Sequence, residues 1–359
     1  MSCSPALPAA EQPGRWSAQP EREFEFTEAP FAKSVWAALE ALYASVYSSR
    51  ALLEPLCGQN RSNDRASAWI ERSADRETAL LLFTRDGSVV RVLNEVLDLP
   101  TAVIRRFAQA IFARYPQVDL VKLHAIVLQA GDDGTPLLSS VFSEDYVLDL
   151  PDHHEAWLAS LSRQTREKLR YHQRRSFRRQ PGLEFTVTPA AKIAETEVRA
   201  VLRLNRQRMQ RKGKAFAMSD SEEAQLCMQM QQVGMLFALR LDGEICAGLL
   251  CSVTGRDICM HVIAHDPAHD DLRLGLVCCY LAIRHAIGLG LARFHFLWGH
   301  YDYKRRLGGS ARPLYRVLVP RSRAHLFRHP VHASRWLAEP ARDTLRRWRR
   351  PAVSRERSC

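Results

Sequence analysis

Several things are missing from this sequence of 359 residues. No two of its nine cysteines stand in Cys-x-x-Cys spacing. That argues against a structural zinc framework and against a disulfide scaffold. Cys246, Cys251, Cys259, Cys278 and Cys279 fall in apolar runs instead, where reduced thiols are expected and a reducing, cytoplasmic compartment follows. No run approaches the roughly 20 apolar residues of a membrane span. The opening MSCSPALPAAEQPG has neither a basic start nor a long apolar stretch, so no signal peptide is expected. Gly-x-Ser-x-Gly, a Walker sequence and Gly-x-Gly-x-x-Gly after a strand are all absent. Serine hydrolase, P-loop NTPase and Rossmann dehydrogenase chemistry therefore lack support.

What is present is positive charge. The formal net charge is +12, which calls for an anionic partner such as nucleic acid, acidic lipid or a phosphate-rich small molecule. Most of the excess sits in two patches. Residues 163–179 hold seven arginines and one lysine against Glu167 alone, and the chain from Arg321 onward holds eleven arginines against Glu339, Asp343 and Glu356.

The length suits about two domains. Residues 1–22, rich in Pro, Ala, Ser and Glu, read as disordered. A first block shows a strand, a turn at Asp86-Gly87, a second strand, a helix from Thr101 to about Pro116, and the strand VDLVKLHAIVLQ. The second block opens with the basic helix and a short strand, LEFTV. A helix with Val198, Val201, Leu202 and Met209 on one face follows. The next helix carries a Ser219/Glu222 capping box. A hairpin at Asp242-Gly243, the strand DICMHVIAHDP, a long helix through Gly275, and two final strands complete the block. Both blocks place an Asp-Gly hairpin before a helix and an apolar strand, which predicts tandem copies of one αβ unit. Their expected extents are residues 23–148 and 149–320, with a basic tail at 321–359.

Two junctions can carry chemistry. Where HDPAHDDLRLGL passes from strand to helix, free amides and the positive dipole end suit a pyrophosphate, and Gly275 allows close backbone approach. Asp266, Asp270 and Asp271 oppose an anion there unless they are turned away. In FHFLWGHYDYKRRLGG a strand ends in a crowd of polar groups. Tyr301 and Tyr303 can donate a proton, Asp302 or His300 can accept one, and Lys304 can stabilise an oxyanion. His261, His265 and Cys259 share one strand face, so metal ligation is conceivable; a proton relay through His261 is the preferred role, and no metal is expected. The basic helix carries Tyr171, His172 and Phe177 among its cations and can hold nucleotide or RNA phosphate.

The runs LSRQTREKLRYHQRR, RMQRKG, LFALRLDGEICAGLL and FHFLWGHYDYKRRLG resemble the GNAT-type acyltransferases of the Fem-like branch, which includes CelD-like proteins linked to polysaccharide production. The resemblance covers roughly residues 145–320 and implies an α/β (α+β) fold of two tandem GNAT-like domains with mixed central sheets flanked by helices. It implies direct attack of an amine, such as an amino sugar, on the thioester of acyl-CoA or acetyl-CoA. On that template Tyr303 is the acid, Lys304 the electrostatic stabiliser, and Arg273, Gly275 and Leu276 meet the coenzyme. Arg166, Arg170, Trp298 and Tyr301 are then expected to meet substrate. The sequence RLGLV departs from the usual GNAT Arg/Gln-x-x-Gly-x-Gly/Ala. Fem ligases use aminoacyl-tRNA instead, so charged tRNA is the rival donor. An anionic membrane surface or a synthase complex is the expected partner of the tail, and a non-enzymatic module that binds anionic polymer or membrane through it is the other rival reading.

Overall fold

The computed structural model describes residues 22–57, 65–129, 137–211, 213, 218–299 and 301–328. His300, residues 1–21 of the segment read as disordered and all of the basic tail beyond residue 328 lie outside these, while Arg22, the last residue of that segment, begins a strand. The chain builds two successive series of the same elements. The first runs β1 (Arg22–Glu28), α1 (Lys33–Tyr43), a 3-10 turn Val46–Ser48, α2 (Arg50–Cys57), β2 (Ser67–Ser73), β3 (Arg76–Asp86), β4 (Val89–Val92), β5 (Asp98–Pro100), α3 (Thr101–Arg114), β6 (Leu120–Gln129) and β7 (Leu138–Asp149). After α4 (His154–Ser160) and α5 (Arg163–Arg179), the second runs β8 (Leu183–Pro189), α6 (Glu195–Arg211), α7 (Asp220–Val233), β9 (Gly234–Leu241), β10 (Glu244–Thr254), β11 (Asp257–His265), α8 (Leu274–Gly288), β12 (Arg293–Trp298), α9 (Asp302–Arg306) and β13 (Ser310–Pro320). A short α10 (Arg323–Phe327) follows.

The local reasons are visible in the residues. Ser219 caps α7 by accepting from the Glu222 amide while the Glu222 carboxylate accepts from the Ser219 amide, the reciprocal box expected from the sequence. Thr101, the cap expected from the sequence, is instead the first residue of helix α3 and buried, and Pro100 holds the cap position. Arg321 closes the other end of α3, donating to the carbonyls of Phe112, Tyr115 and Pro116.

The two expected central sheets are one. Its strands run β1-β2-β3-β4-β6-β13-β7-β12-β11-β10-β9-β8. Within each series the early strands pair antiparallel, and along this path one parallel pair stands on either side of the middle, β4 with β6 and β11 with β12; off the path, the short β5 also pairs parallel with β6. The last strands are exchanged. β7 lies against β12 of the second series, and β13 lies against β6 of the first. One large apolar cluster packs α8 onto the second half of the sheet, and another packs α3 onto the first. Cys251, Cys278 and Cys279 are buried, and burial pushes their thiols up, so they stay protonated and inert.

A buried ionic network locks the exchange. The imidazole of His295 on β12 lies 3.1 Å from Asp145 on β7 and 3.3 Å from Asp257 on β11. Arg312 of β13 also reaches Asp145 at 3.3 Å, and Arg293 donates to Asp257 at 3.0 Å. Burial opposes each charge, but the paired groups prevail: both aspartates are held below the usual carboxylate range and His295 is raised above the usual imidazole value.

Candidate active site

Both parallel pairs come apart along their length. β11 and β12 pair from Asp257 to Cys259 and then diverge. β4 and β6 pair from Val89 to Arg91 and then diverge. In both halves a non-glycine residue with positive φ marks the bend of the outgoing strand: Leu297 on β12 (φ 54°) and Ala125 on β6 (φ 54°). In the first half the chain fills its own gap. The Val96 amide donates to Ala125, and β5 pairs with Val127–Gln129. In the second half the gap opens onto a cavity of about 400 Å³.

The cavity is lined from β11 by Met260, His261, Val262 and Ile263, and from the β12 exit by Phe296, Leu297, Trp298, Tyr301, Tyr303 and Lys304. Helix α6 adds Asn205, Arg208 and Met209; Met218 and Leu226 also contribute. One wall comes from the first half. Tyr47, in the 3-10 turn, stacks on Trp298 at 6.3 Å and 14° and tilts over His261 at 6.5 Å.

Each polar group here has a definite state. Burial drives His261 down to about 4, so its imidazole is neutral, with Nε2 2.7 Å from the Ser252 hydroxyl. Burial raises Tyr303, which keeps its phenol protonated, and no described residue takes up that hydroxyl by a hydrogen bond. Lys304 is only 2% exposed. Its Nζ donates to the carbonyls of Leu297 (2.7 Å) and Trp298 (2.8 Å), and burial lowers it to about 8. The ammonium thus holds the bent end of β12 that forms the cavity floor. This accounts for the polar ending of FHFLWGHYDYK: α9 folds back and delivers a donor to carbonyls that the bend removes from the sheet.

Arg208 also lines a second, larger groove of about 900 Å³. There it joins Tyr171, His172, Arg175, Arg211 and Arg273. Arg273 sits at the start of α8 in the left-handed region (φ 55°), ahead of the first-turn amides of Leu274 and Gly275. The aspartates that oppose an anion here are occupied: Asp271 by Arg175 and Arg179, Asp270 by Arg211 and His265. Four arginines against two aspartates leave the groove positive. His172 is pushed down by burial, then by Arg273 and Arg175, so the positive charge of the groove comes from its arginines.

The expected residues divide. Tyr301, Tyr303, Lys304, Trp298 and His261 meet around the cavity, and Arg273 meets the groove. Arg166 is elsewhere, donating to the carbonyls of Ala159 and Leu161 at the end of α4. Arg170 is at the surface near Glu155, and Leu276 packs against the apolar cluster under α8. His265 bonds Asp270 and His261 bonds Ser252, so the two histidines serve different neighbourhoods. Gly275 packs tightly: a Cβ there meets His265 Nδ1 at 2.9 Å. Gly275→Ala is expected to push the ring off Asp270 and cost about 1–3 kcal/mol in urea unfolding. Tyr47, Arg208 and Met209 join the site without having been expected there.

Residues 163–305 match the family model of the acetyltransferase (GNAT) domain. No curated protein matches the chain by sequence. Solved structures of similar fold include FemX, 11% identical with a TM-score of 0.57, covering 82% of this chain and 96% of that one. L-PGS from Bacillus licheniformis is 15% identical with a TM-score of 0.51, covering 87% and 98%. A conserved protein of unknown function from Bacteroides thetaiotaomicron is 11% identical with a TM-score of 0.53, covering 83% and 100%. At these identities the likeness is one of fold.

Proposed function

From the premise that this chain has a Fem-like tandem GNAT fold with a GNAT acetyltransferase domain, we propose that it transfers an acyl group from acyl-CoA to an amine. The observation that carries the reading is the junction at Arg208, where the open gap between β11 and β12 meets an arginine-lined groove at the start of α8. The groove suits the pyrophosphate of a coenzyme A thioester, through charge and free helix amides together. The gap then receives the pantetheine arm and brings the thioester into the cavity.

There the amine nitrogen attacks the thioester carbon, a C–N bond forms and the C–S bond breaks. Neutral His261 takes the proton that the nitrogen sheds. Its low proton affinity means transfer occurs only as positive charge develops on that nitrogen. Tyr303, protonated throughout the working pH range, donates to the departing sulfur. Lys304 acts by fixing the bent strand and by its positive potential beside the developing oxyanion. Tyr301, 47% exposed at the mouth, and Trp298 offer faces to the incoming acceptor, for which an amino sugar is the proposed class.

Aminoacyl-tRNA is the second reading, favoured by the exposed basic side chains of α5. Against it, none of the described residues that line the cavity is a carboxylate. An aminoacyl group brings an α-ammonium that needs one once water is excluded.

Isothermal titration with acetyl-CoA or coenzyme A tests the donor. Binding in the micromolar to millimolar range is expected, and absence of heat up to millimolar ligand, with tRNA retained in a steeply salt-dependent manner, favours the second reading. Tyr303→Phe is expected to lower kcat about 10²-fold or more with little change in donor affinity; an unchanged kcat removes Tyr303 from the reaction.

A further inference from the structure

The cavity is larger than an acetyl group requires. A two-carbon acyl group occupies a small part of 400 Å³, a volume in the range that encloses drug-sized ligands. Of the sixteen described residues that line it, nine are aliphatic, thioether, phenyl or indole, three are tyrosines, and four are Asn205, Arg208, His261 and Lys304. Those four are already engaged, Lys304 with two backbone carbonyls, His261 with Ser252, and Arg208 with Asn205 at 3.3 Å. What is left is a mainly apolar wall interrupted by three tyrosine hydroxyls. Three methionines, Met209, Met218 and Met260, line it from separate segments, and their unbranched thioethers adapt to flexible apolar ligands.

We infer that the cavity between β11 and β12 receives an aliphatic acyl chain of medium length or longer, so that the donor is a fatty-acyl thioester in preference to acetyl-CoA. The inference rests on the acyl-donor reading and adds the chain to it. The groove anchors the phosphates, the gap carries the arm, and the thioester carbon stops at the cavity entrance near Tyr303. The chain beyond the carbonyl then runs between the β11 face and the α6–α7 wall formed by Met209, Met218 and Leu226. The bond changes are unaltered: the acyl carbon leaves sulfur for nitrogen, and the chain takes no part. An apolar acceptor offers the same chemistry from the other side, and the experiment separates the two.

The test is a chain-length series, acetyl-, butanoyl-, hexanoyl- and octanoyl-CoA, titrated calorimetrically against the full chain with coenzyme A as reference. Each methylene buried is expected to tighten binding about fourfold, so octanoyl-CoA gains roughly a hundredfold over acetyl-CoA if three or four of its additional methylenes are buried and more if all are. Met209→Trp and Met218→Trp, each adding bulk to a different wall, are expected to reduce the octanoyl-to-acetyl ratio at least about tenfold. A ratio below tenfold in the unmodified protein overturns the inference while leaving the donor reading intact, and assigns the apolar space to the acceptor. A hundredfold ratio that neither tryptophan variant changes overturns it too, because the chain then binds elsewhere. Absence of binding by coenzyme A and by every thioester removes the donor reading and the inference together.

Discussion

Lys304→Ala is expected to lower the unfolding free energy by about 3 kcal/mol or more and to abolish measurable turnover. Two buried carbonyls lose their donor, at about 1–3 kcal/mol each, and a cavity replaces the side chain. The burial that makes the ammonium costly, lowering it to about 8, offsets part of that loss when the charge is removed. Lys304→Met separates the contributions, since it keeps the volume and deletes the donors. If Lys304→Met is as stable as the unmodified protein, the carbonyl clamp contributes little and the residue's importance is chemical. If it is destabilised nearly as much as Lys304→Ala, the clamp explains most of the residue's worth. Chemical denaturation together with kcat and KM for each variant decides between them.

Asp145→Ala is expected to be at least as damaging to the fold, about 3–5 kcal/mol, because it strips a carboxylate from both His295 and Arg312 at the seam between the halves. The same network sets a pH window. His295 has a raised folded value, so its contribution is complete below about pH 6.5 and is lost as pH rises through that raised value. Asp145 and Asp257 have depressed folded values, so theirs is complete above about pH 3.9 and is lost as pH falls through those depressed values. Stability from the network is therefore greatest between about pH 4 and 6.5. Urea midpoints measured from within this range to above it are expected to fall on the alkaline side for the unmodified protein. In His295→Gln that alkaline decline is expected to flatten; a decline of equal steepness places its origin elsewhere.

Much of the local structure is written locally. The Asp-Gly turns, the Ser219/Glu222 box and the apolar stripe of α6 each depend on neighbours within a few residues, and each element forms where its signal lies. The repeat of elements is legible for the same reason. The alternation in REFEFTE and SAWIERS is also a strand signal, but what those strands pair with is not local information. Neither is the exchange of β7 and β13, because a ladder partner more than a hundred residues away leaves no mark in either strand. The site divides along the same line. Tyr303 and Lys304 follow a strand and stand out as polar groups at its exit. Tyr47 lies in a short turn whose composition is ordinary, and only the packing of the two halves brings it onto Trp298. Arg208 is one arginine among several on α6, distinguished by facing both the cavity and the groove.

The crossed pairing of β13 with β6 has a bearing on biosynthesis. A ribosome releases β6 long before β13 exists, so the nascent first half emerges with one edge of its sheet unpaired. It stays so while the whole of the second half is translated, exposed to aggregation and to chaperone capture. Completion of the earlier half waits on almost the last strand made, which turns two seemingly separable modules into a single unit of maturation. A gene cut after β7 is expected to yield two insoluble fragments that recover only when co-expressed.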